Sequence, residues 1–258
     1  MYTTPGCRLS RVSARIPVST DLSVSTGDGD MPAHLWLPRS GTGPGILLLQ
    51  EIFGVSDYIE KRAQDLADLG YVVLCPEIWW RQGVSRVEDG PEAMERAFVL
   101  LEQCDWAAAV ADGVAALAAL AARDEVAGGA GIVGFCFGGG LGFAVAAERS
   151  PDVLVSYYGS ALPELLGITP DPRVHAPGAE AVSAPSLHHW GLADQFLTRP
   201  VVEQIRAVLE PLDNVTFHTY ESADHAFDNH DFFLHDAEAA QLAWDRTTQW
   251  LDEHLPTG

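Results

Sequence analysis

Near the amino terminus, apolar and polar side chains alternate over Ala14–Ser25 and again over Pro32–Leu37. A period of two puts every second side chain on one face, as in a strand covered on one side. The intervening "TGDGD" reads as a hairpin turn, because glycine and aspartate tolerate positive φ. The period then changes. Ile46–Gln50, "ILLLQ", is a continuous apolar run of the kind that forms a strand covered on both faces. Behind it strand and helix signals take turns. Helical spacing over Tyr58–Leu69 stops at Gly70, the strand "YVVLC" follows, and Pro91–Ala122 reads as a long alanine-rich helix. The strand "GIVGF", a helix over Gly138–Glu148 and the strand "DVLVSYY" come next. Two further strands, "APSLHHW" and "VTFHTYE", flank a helix at Pro200–Leu209, and a last helix runs from about Leu234 to His254. An antiparallel start followed by βαβα alternation predicts a single α/β unit: a doubly wound, mostly parallel sheet with helices on both faces. Ala161–Ala184, rich in Pro, Gly and Asp, is a long excursion between two strands, placed to line or cover a site.

Composition narrows the function. The 258 residues are read as one domain with a sizeable core, residues 1–13 forming a loosely attached amino terminus. With 36 acidic against 15 basic residues the formal net charge is −21, which repels phosphate backbones and anionic lipid, so neither nucleic acid nor a membrane is an expected partner. No apolar run approaches the roughly 18 residues of a membrane span. Residues 1–25 carry Arg8, Arg11 and Arg15 but no apolar core of a signal peptide, and a cytoplasmic protein is expected, monomeric or homodimeric. Cys7, Cys75, Cys104 and Cys136 are scattered with no Cys-x-x-Cys pair. That spacing signals neither a zinc site nor a disulfide framework, and no metal or organic cofactor is expected.

One cysteine stands apart. In "GIVGFCFGGG", Cys136 follows a strand, precedes a helix and has Gly134 and Gly138 two residues away on either side. Gly-x-nucleophile-x-Gly is the pattern of a turn so sharp that side chains at those flanking positions would collide. The turn lies at the carboxyl end of a strand, where sheets of this kind bind ligands. The following helix amino terminus directs partial positive charge at the sulfur. A phosphate-binding loop fits badly, since no G-x-G-x-x-G opens the helix after the turn and the only lysine, Lys61, is far from it.

A free thiol is only a few per cent ionised at neutral pH, so a nucleophilic Cys136 needs a base and a group to orient it. On this kind of sheet the partners follow in the order nucleophile, acid, histidine. Asp194, in "GLADQF", and His225, in "SADHAF", come just past strand ends in that order. Asp171 is not close behind a strand, and Asp224 adjoins His225 too closely to orient its imidazole. His188 and His189 are neighbours on a strand and point to opposite faces. His218, His230 and His235 have no metal-ligand partner at convincing spacing.

These residues carry a resemblance to the dienelactone hydrolases, or carboxymethylenebutenolidases, of the α/β-hydrolase fold. It extends from about Ala14 to Leu251 through "QEIFGV", "GYVVLCPEIWWRQ", "GFCFGG", "WGLADQF" and "ADHAF". The resemblance implies a Cys136–His225–Asp194 triad that hydrolyses a small-molecule ester or lactone, typically a carboxylate-bearing enol lactone, through an acyl-cysteine. It implies further that Glu51 accepts a hydrogen bond from the resting thiol and takes its proton when substrate binds, and that Arg81 contacts the substrate carboxylate. The oxyanion hole is expected at the backbone N–H groups of Phe137 and Ile52. The chain departs from the family at Asn229, where a second substrate-holding arginine is expected, with Asp228 before it. One cationic contact instead of two predicts a preference for neutral esters unless Arg173 or Arg199 reaches in. The rival readings are a general carboxylesterase or thioesterase on the same scaffold, and a non-catalytic redox sensor or binding protein using Cys136. A sensor has no need of Asp194 and His225 in hydrolase order.

Overall fold

A computed structural model describes residues 19–258; the amino-terminal part of the first expected strand, the expected loose segment 1–13 and Cys7 lie outside the described residues. The predicted hairpin consists of β1 (Thr20–Ser25) and β2 (Asp30–Trp36), paired antiparallel. Then come β3 (Gly43–Leu49), α1 (Asp57–Asp68), β4 (Val72–Pro76), α2 (Ala93–Glu102) and α3 (Trp106–Ala121). The chain continues through β5 (Val126–Phe135), α4 (Phe137–Glu148), β6 (Leu154–Tyr157) and a one-turn helix α5 (Leu162–Leu165). It ends with β7 (Ser186–Gly191), α6 (Arg199–Leu209), β8 (Val215–Tyr220) and α7 (Ala237–His254). These strands form one sheet of order β1-β2-β4-β3-β5-β6-β7-β8, antiparallel at β1-β2 and β2-β4 and parallel from β4 onward.

Burial follows the periodicities. All seven residues of β3 are buried, as a continuous apolar run between two helical layers requires. On α1 the buried positions are Tyr58, Ile59, Ala63, Leu66 and Ala67, one stripe of a helix whose amino terminus is capped by the Ser56 hydroxyl.

Two expected boundaries are corrected. The long helix over Pro91–Ala122 is two helices, α2 and α3, with axes bent by 93°. The Asp105 carboxylate accepts from the Ala108 N–H at 3.1 Å and so caps a new helix, ending the alanine run's claim on the preceding turn. The last helix begins at Ala237, not Leu234, because Asp236 caps it through the N–H groups of Glu238 and Ala239. Among the described residues no single helix is long and apolar enough to cross a membrane.

Candidate active site

Four loops converge beyond the carboxyl ends of β3, β5, β7 and β8, carrying Glu51, Cys136, Asp194 and His225 respectively. Cys136 has φ 53° and ψ −114°, a backbone conformation an L-residue adopts only when its surroundings enforce it. Its carbonyl accepts the Ser160 N–H at 2.9 Å and its N–H donates to Tyr157 at 3.0 Å, which pins the turn from both sides. The two flanking glycines have separate reasons. A Cβ on Gly134 would lie 2.1 Å from the Gly138 carbonyl oxygen, inside the elbow; one on Gly138 would lie 2.2 Å from the Leu49 oxygen, on the neighbouring strand. The second glycine therefore serves the sheet as well as the turn. Among the described residues the four non-glycine positions of positive φ are Cys136, Tyr158, Ala161 and Ala226, all beside this site.

Cys136, His225 and Asp194 form a hydrogen-bonded row. His225 Nε2 is 3.1 Å from Cys136 Sγ, and its Nδ1 is 2.7 Å from Asp194 Oδ2. The other Asp194 oxygen accepts the Phe196 and Leu197 N–H groups at 2.7 and 2.8 Å, so the carboxylate cannot swing away from the imidazole. Burial alone would depress the His225 pKa. The charge of Cys136 first, then the hydrogen bond to Asp194, outweigh it and hold the imidazole well above its ordinary range. Burial pushes the Cys75 and Cys104 thiols the other way, Cys104 up to about 11, so neither offers a thiolate near neutral pH.

Glu51 is buried in the same cavity but bonds differently from the expectation. Its Oε2 accepts the Asn229 amide at 2.7 Å and its Oε1 faces the Tyr158 hydroxyl at 3.4 Å, while the polar partner of the Cys136 sulfur is His225. Burial pushes the Glu51 carboxyl up to about 7 against the lowering effect of Asn229 and of the His225 charge. Behind it runs a polar chain that sequence reasoning missed. Tyr158 OH is 3.4 Å from Tyr58 OH, Tyr58 donates to Asp228, and Arg62 grips both Asp228 oxygens at 2.7 and 2.8 Å. Asp228 therefore presents no free charge to the cavity. The only signal for these residues was position, with Tyr158 directly after the end of β6 at the ligand-binding edge.

Arg81 is not brought to this cavity. It pairs with Asp112, reaches Asp28 at 2.7 Å and stacks 4.5 Å from the Trp80 ring. Two carboxylates satisfy its guanidinium fork, one of them buried. Arg173 pairs with Asp171 and Arg199 with Glu221, so neither supplies the missing second contact. Ile52 and Phe137, the expected oxyanion donors, flank the cavity. Trp79 Nε1 donates to the Ile52 carbonyl at 3.0 Å, and the Phe137 ring packs 4.8 Å from that of Trp79. Among the described residues neither amide donates within the chain. Among the described residues, no group of three or more His, Cys, Asp or Glu has the arrangement of a metal site.

A mostly parallel sheet with helices on both faces and an elbow after its central strand defines an α/β hydrolase. Comparison with known proteins sharpens this. The sequence profile of the Dienelactone hydrolase family matches residues 31–255, and the chain belongs to that family. It is 33% identical over 234 residues to a Pseudomonas carboxymethylenebutenolidase, covering 90% of this chain and 94% of that one. To a putative carboxymethylenebutenolidase of Azospirillum brasilense it is 32% identical, covering 92% and 99%. The crystal structure of a putative dienelactone hydrolase from Klebsiella pneumoniae superposes with a TM-score of 0.77 at 27% identity, covering 92% and 98%. The protein is a hydrolase of this family.

Proposed function

We propose that the protein hydrolyses uncharged carboxylic esters or lactones through an acyl-cysteine intermediate. The observation that carries this reading is the Cys136–His225–Asp194 row at 3.1 and 2.7 Å, with its sulfur on the strained elbow. In this reading the Cys136 sulfur attacks the carbonyl carbon, and the carbonyl π electrons move onto oxygen, which the Ile52 and Phe137 N–H groups stabilise. The C–O bond to the leaving group breaks as His225 Nε2 passes it a proton. His225, now neutral, takes a proton from water as the water oxygen attacks the thioester. The C–S bond then breaks, releasing the carboxylic acid and restoring the thiolate facing imidazolium. Asp194 holds Nδ1–H and so fixes which nitrogen does this work.

The preference for uncharged substrates rests on the cavity lining. Around Cys136 it is built from Ile52, Phe53, Leu101, Phe196, Leu197 and Phe232, and among the described residues no lysine or arginine is part of its walls. A carboxylate-bearing lactone would leave its charge unpaired against these side chains, at a cost of a few kcal/mol. The test has two parts. Rapid acid quench after mixing with p-nitrophenyl acetate, followed by mass spectrometry, is expected to find an acetyl group on the Cys136 peptide. A dienelactone and its methyl ester are expected to differ in kcat/KM in favour of the ester. Full hydrolysis by Cys136→Ala would end the reading, and a strong preference for the free acid would end the claim about charge.

A further inference from the structure

The cavity at Cys136 measures about 190 Å³, below the roughly 300–1,000 Å³ of sites that enclose a drug-sized ligand. It does not end there. Phe98, Leu101 and Ser160 line it on one side and also line a neighbouring groove of about 480 Å³. The groove runs on to Cys104, Trp106 and Val174, and part of its wall comes from the excursion between β6 and β7. Phe98 lines both spaces and is a large apolar side chain with 44% of its surface exposed among the described residues.

We propose that this groove is the acyl-binding arm of the site, so that the enzyme's substrates are esters of medium-length alkyl or aryl acids without a terminal negative charge. The inference rests on the ester-hydrolase reading above. Direction follows from the chemistry of the tetrahedral intermediate. The carbon bonded to sulfur carries an oxygen facing the amides of Ile52 and Phe137, a leaving oxygen that must meet His225 Nε2, and the acyl chain, which takes the remaining direction. Phe196 stacks edge-on to the His225 ring at 5.3 Å, and Phe196, Leu197 and His225 all line the cavity but not the groove. The leaving group therefore belongs beside Phe196. The groove is lined instead by Phe137 and Ser160, away from His225 and Phe196, which leaves it for the acyl chain.

A second hollow, of about 620 Å³, shares Phe53, Met94 and Phe232 with the cavity, but its walls include Asp57, Asp89 and Asp231 with Arg86 held by Asp57. The groove has three acids and a paired arginine too, but this hollow adds Ser56, Tyr58 and Asn229 to its walls, which makes it the poorer place for an alkyl chain. Among the described residues the one cation in the chosen groove, Arg173, is gripped by both oxygens of Asp171, and Glu102 and Glu164 line the rest of the rim. A methylene chain is compatible with these walls, whereas a terminal carboxylate would meet two unpaired acids.

The experiment is a kcat/KM series over p-nitrophenyl acetate, butyrate, hexanoate and octanoate, with the mono-p-nitrophenyl ester of adipic acid as the charged member. In the parent protein we expect kcat/KM to rise by up to about threefold for each methylene that enters the groove. In Val174→Trp, which fills the far end, the octanoate-to-acetate ratio should fall at least tenfold. Glu102 is exposed and ends α2, where a lysine is well accommodated, so Glu102→Lys serves if Val174→Trp does not fold. It should raise the adipate-to-hexanoate ratio about fivefold or more. Measurable acetate hydrolysis with a flat series in the parent overturns the acyl arm and leaves the ester-hydrolase reading standing. Unchanged ratios in Val174→Trp and Glu102→Lys do the same. Failure to hydrolyse any member overturns both.

Discussion

Two buried histidines, each held by a hydrogen bond at both ring nitrogens, end in opposite states. His225 lies between Asp194 and Cys136. His189, on β7, lies between the Tyr220 hydroxyl at 2.8 Å and the Thr247 hydroxyl at 3.0 Å, with Tyr157 closing the row on Thr247 at 2.6 Å. Burial lowers the pKa of both. At His189 nothing opposes it, and the repulsion of His218 and Arg246 adds to it, so the ring stays neutral far below its usual range. At His225 the Cys136 charge and the Asp194 carboxylate reverse the outcome. Burial therefore sets the charge of a histidine here only where the groups it touches are neutral; a charged pair of neighbours overrules it. One row is suited to move a proton, and the other fastens α7 to the sheet.

The contrast breaks most completely if the sulfur is removed. Cys136→Ala is expected to lower ester hydrolysis on the order of 10⁵-fold or more, to the background rate, with Cys75→Ala and Cys104→Ala retaining activity. Initial rates with p-nitrophenyl acetate decide it. Asp194→Asn makes the surroundings of His225 resemble those of His189, neutral at one nitrogen. A drop in kcat of about 10³- to 10⁴-fold is expected, with the fold unchanged by circular dichroism. A drop of less than tenfold would mean that the carboxylate does not orient the ring.

Glu51 extends the comparison to a carboxyl. Its folded pKa of about 7 lies above the usual 4.5, so between those values the folded state holds a proton that the unfolded chain has lost. Stability contributed here is full below about pH 4.5 and is lost as pH rises to about 7, on the order of 3 kcal/mol in all. His188, pushed down to about 4 by burial, and His189 act in the opposite direction over part of that window, stabilising the fold as pH rises toward 6.5. The difference between the parent and Glu51→Gln isolates the carboxyl. Urea unfolding at pH 5 and pH 8 is expected to show a smaller loss of stability with pH in the variant, and kcat should also fall. Equal losses in the two proteins would place Glu51 among ordinary carboxylates.

The smallest effect on activity is expected in the second row. Thr247→Val keeps the shape but leaves the Tyr157 hydroxyl and the His189 Nε2 each without a partner. Unfolding free energy should fall by about 1–3 kcal/mol, with kcat/KM within about twofold of the parent. A tenfold loss of activity without loss of stability would show that the two rows are coupled, and the comparison would fail.

Much of this protein was legible in its sequence because the relevant signals are local. The change from period two to continuous apolar runs marks where a half-covered hairpin gives way to a sheet buried on both faces. Gly134 and Cys136 mark the elbow because steric exclusion acts there within a single turn, and Gly138 completes the spacing although its own clash would be with Leu49 on the neighbouring strand. Asp194 and His225 stand out because each follows a strand by a few residues. Even the break between α2 and α3 had a local cause in Asp105, though the alanine pattern around it hid the cap. The partners of the remaining polar groups had no such signal. Arg81 reads equally well as a substrate contact or as a surface ion pair, and only the fold sets it against Asp112 and Asp28. Asp228 reads only as an acid beside Asn229 until Arg62 is found gripping it from α1, 166 residues earlier in the chain. Asn229 reads as a lost arginine until its amide is found on Glu51, 178 residues away. Hydrogen-bond and ion-pair energies depend on ångström separations between side chains, and periodicity along a chain constrains those separations only within an element. Which polar groups meet at the bottom of a cleft is decided when the elements pack.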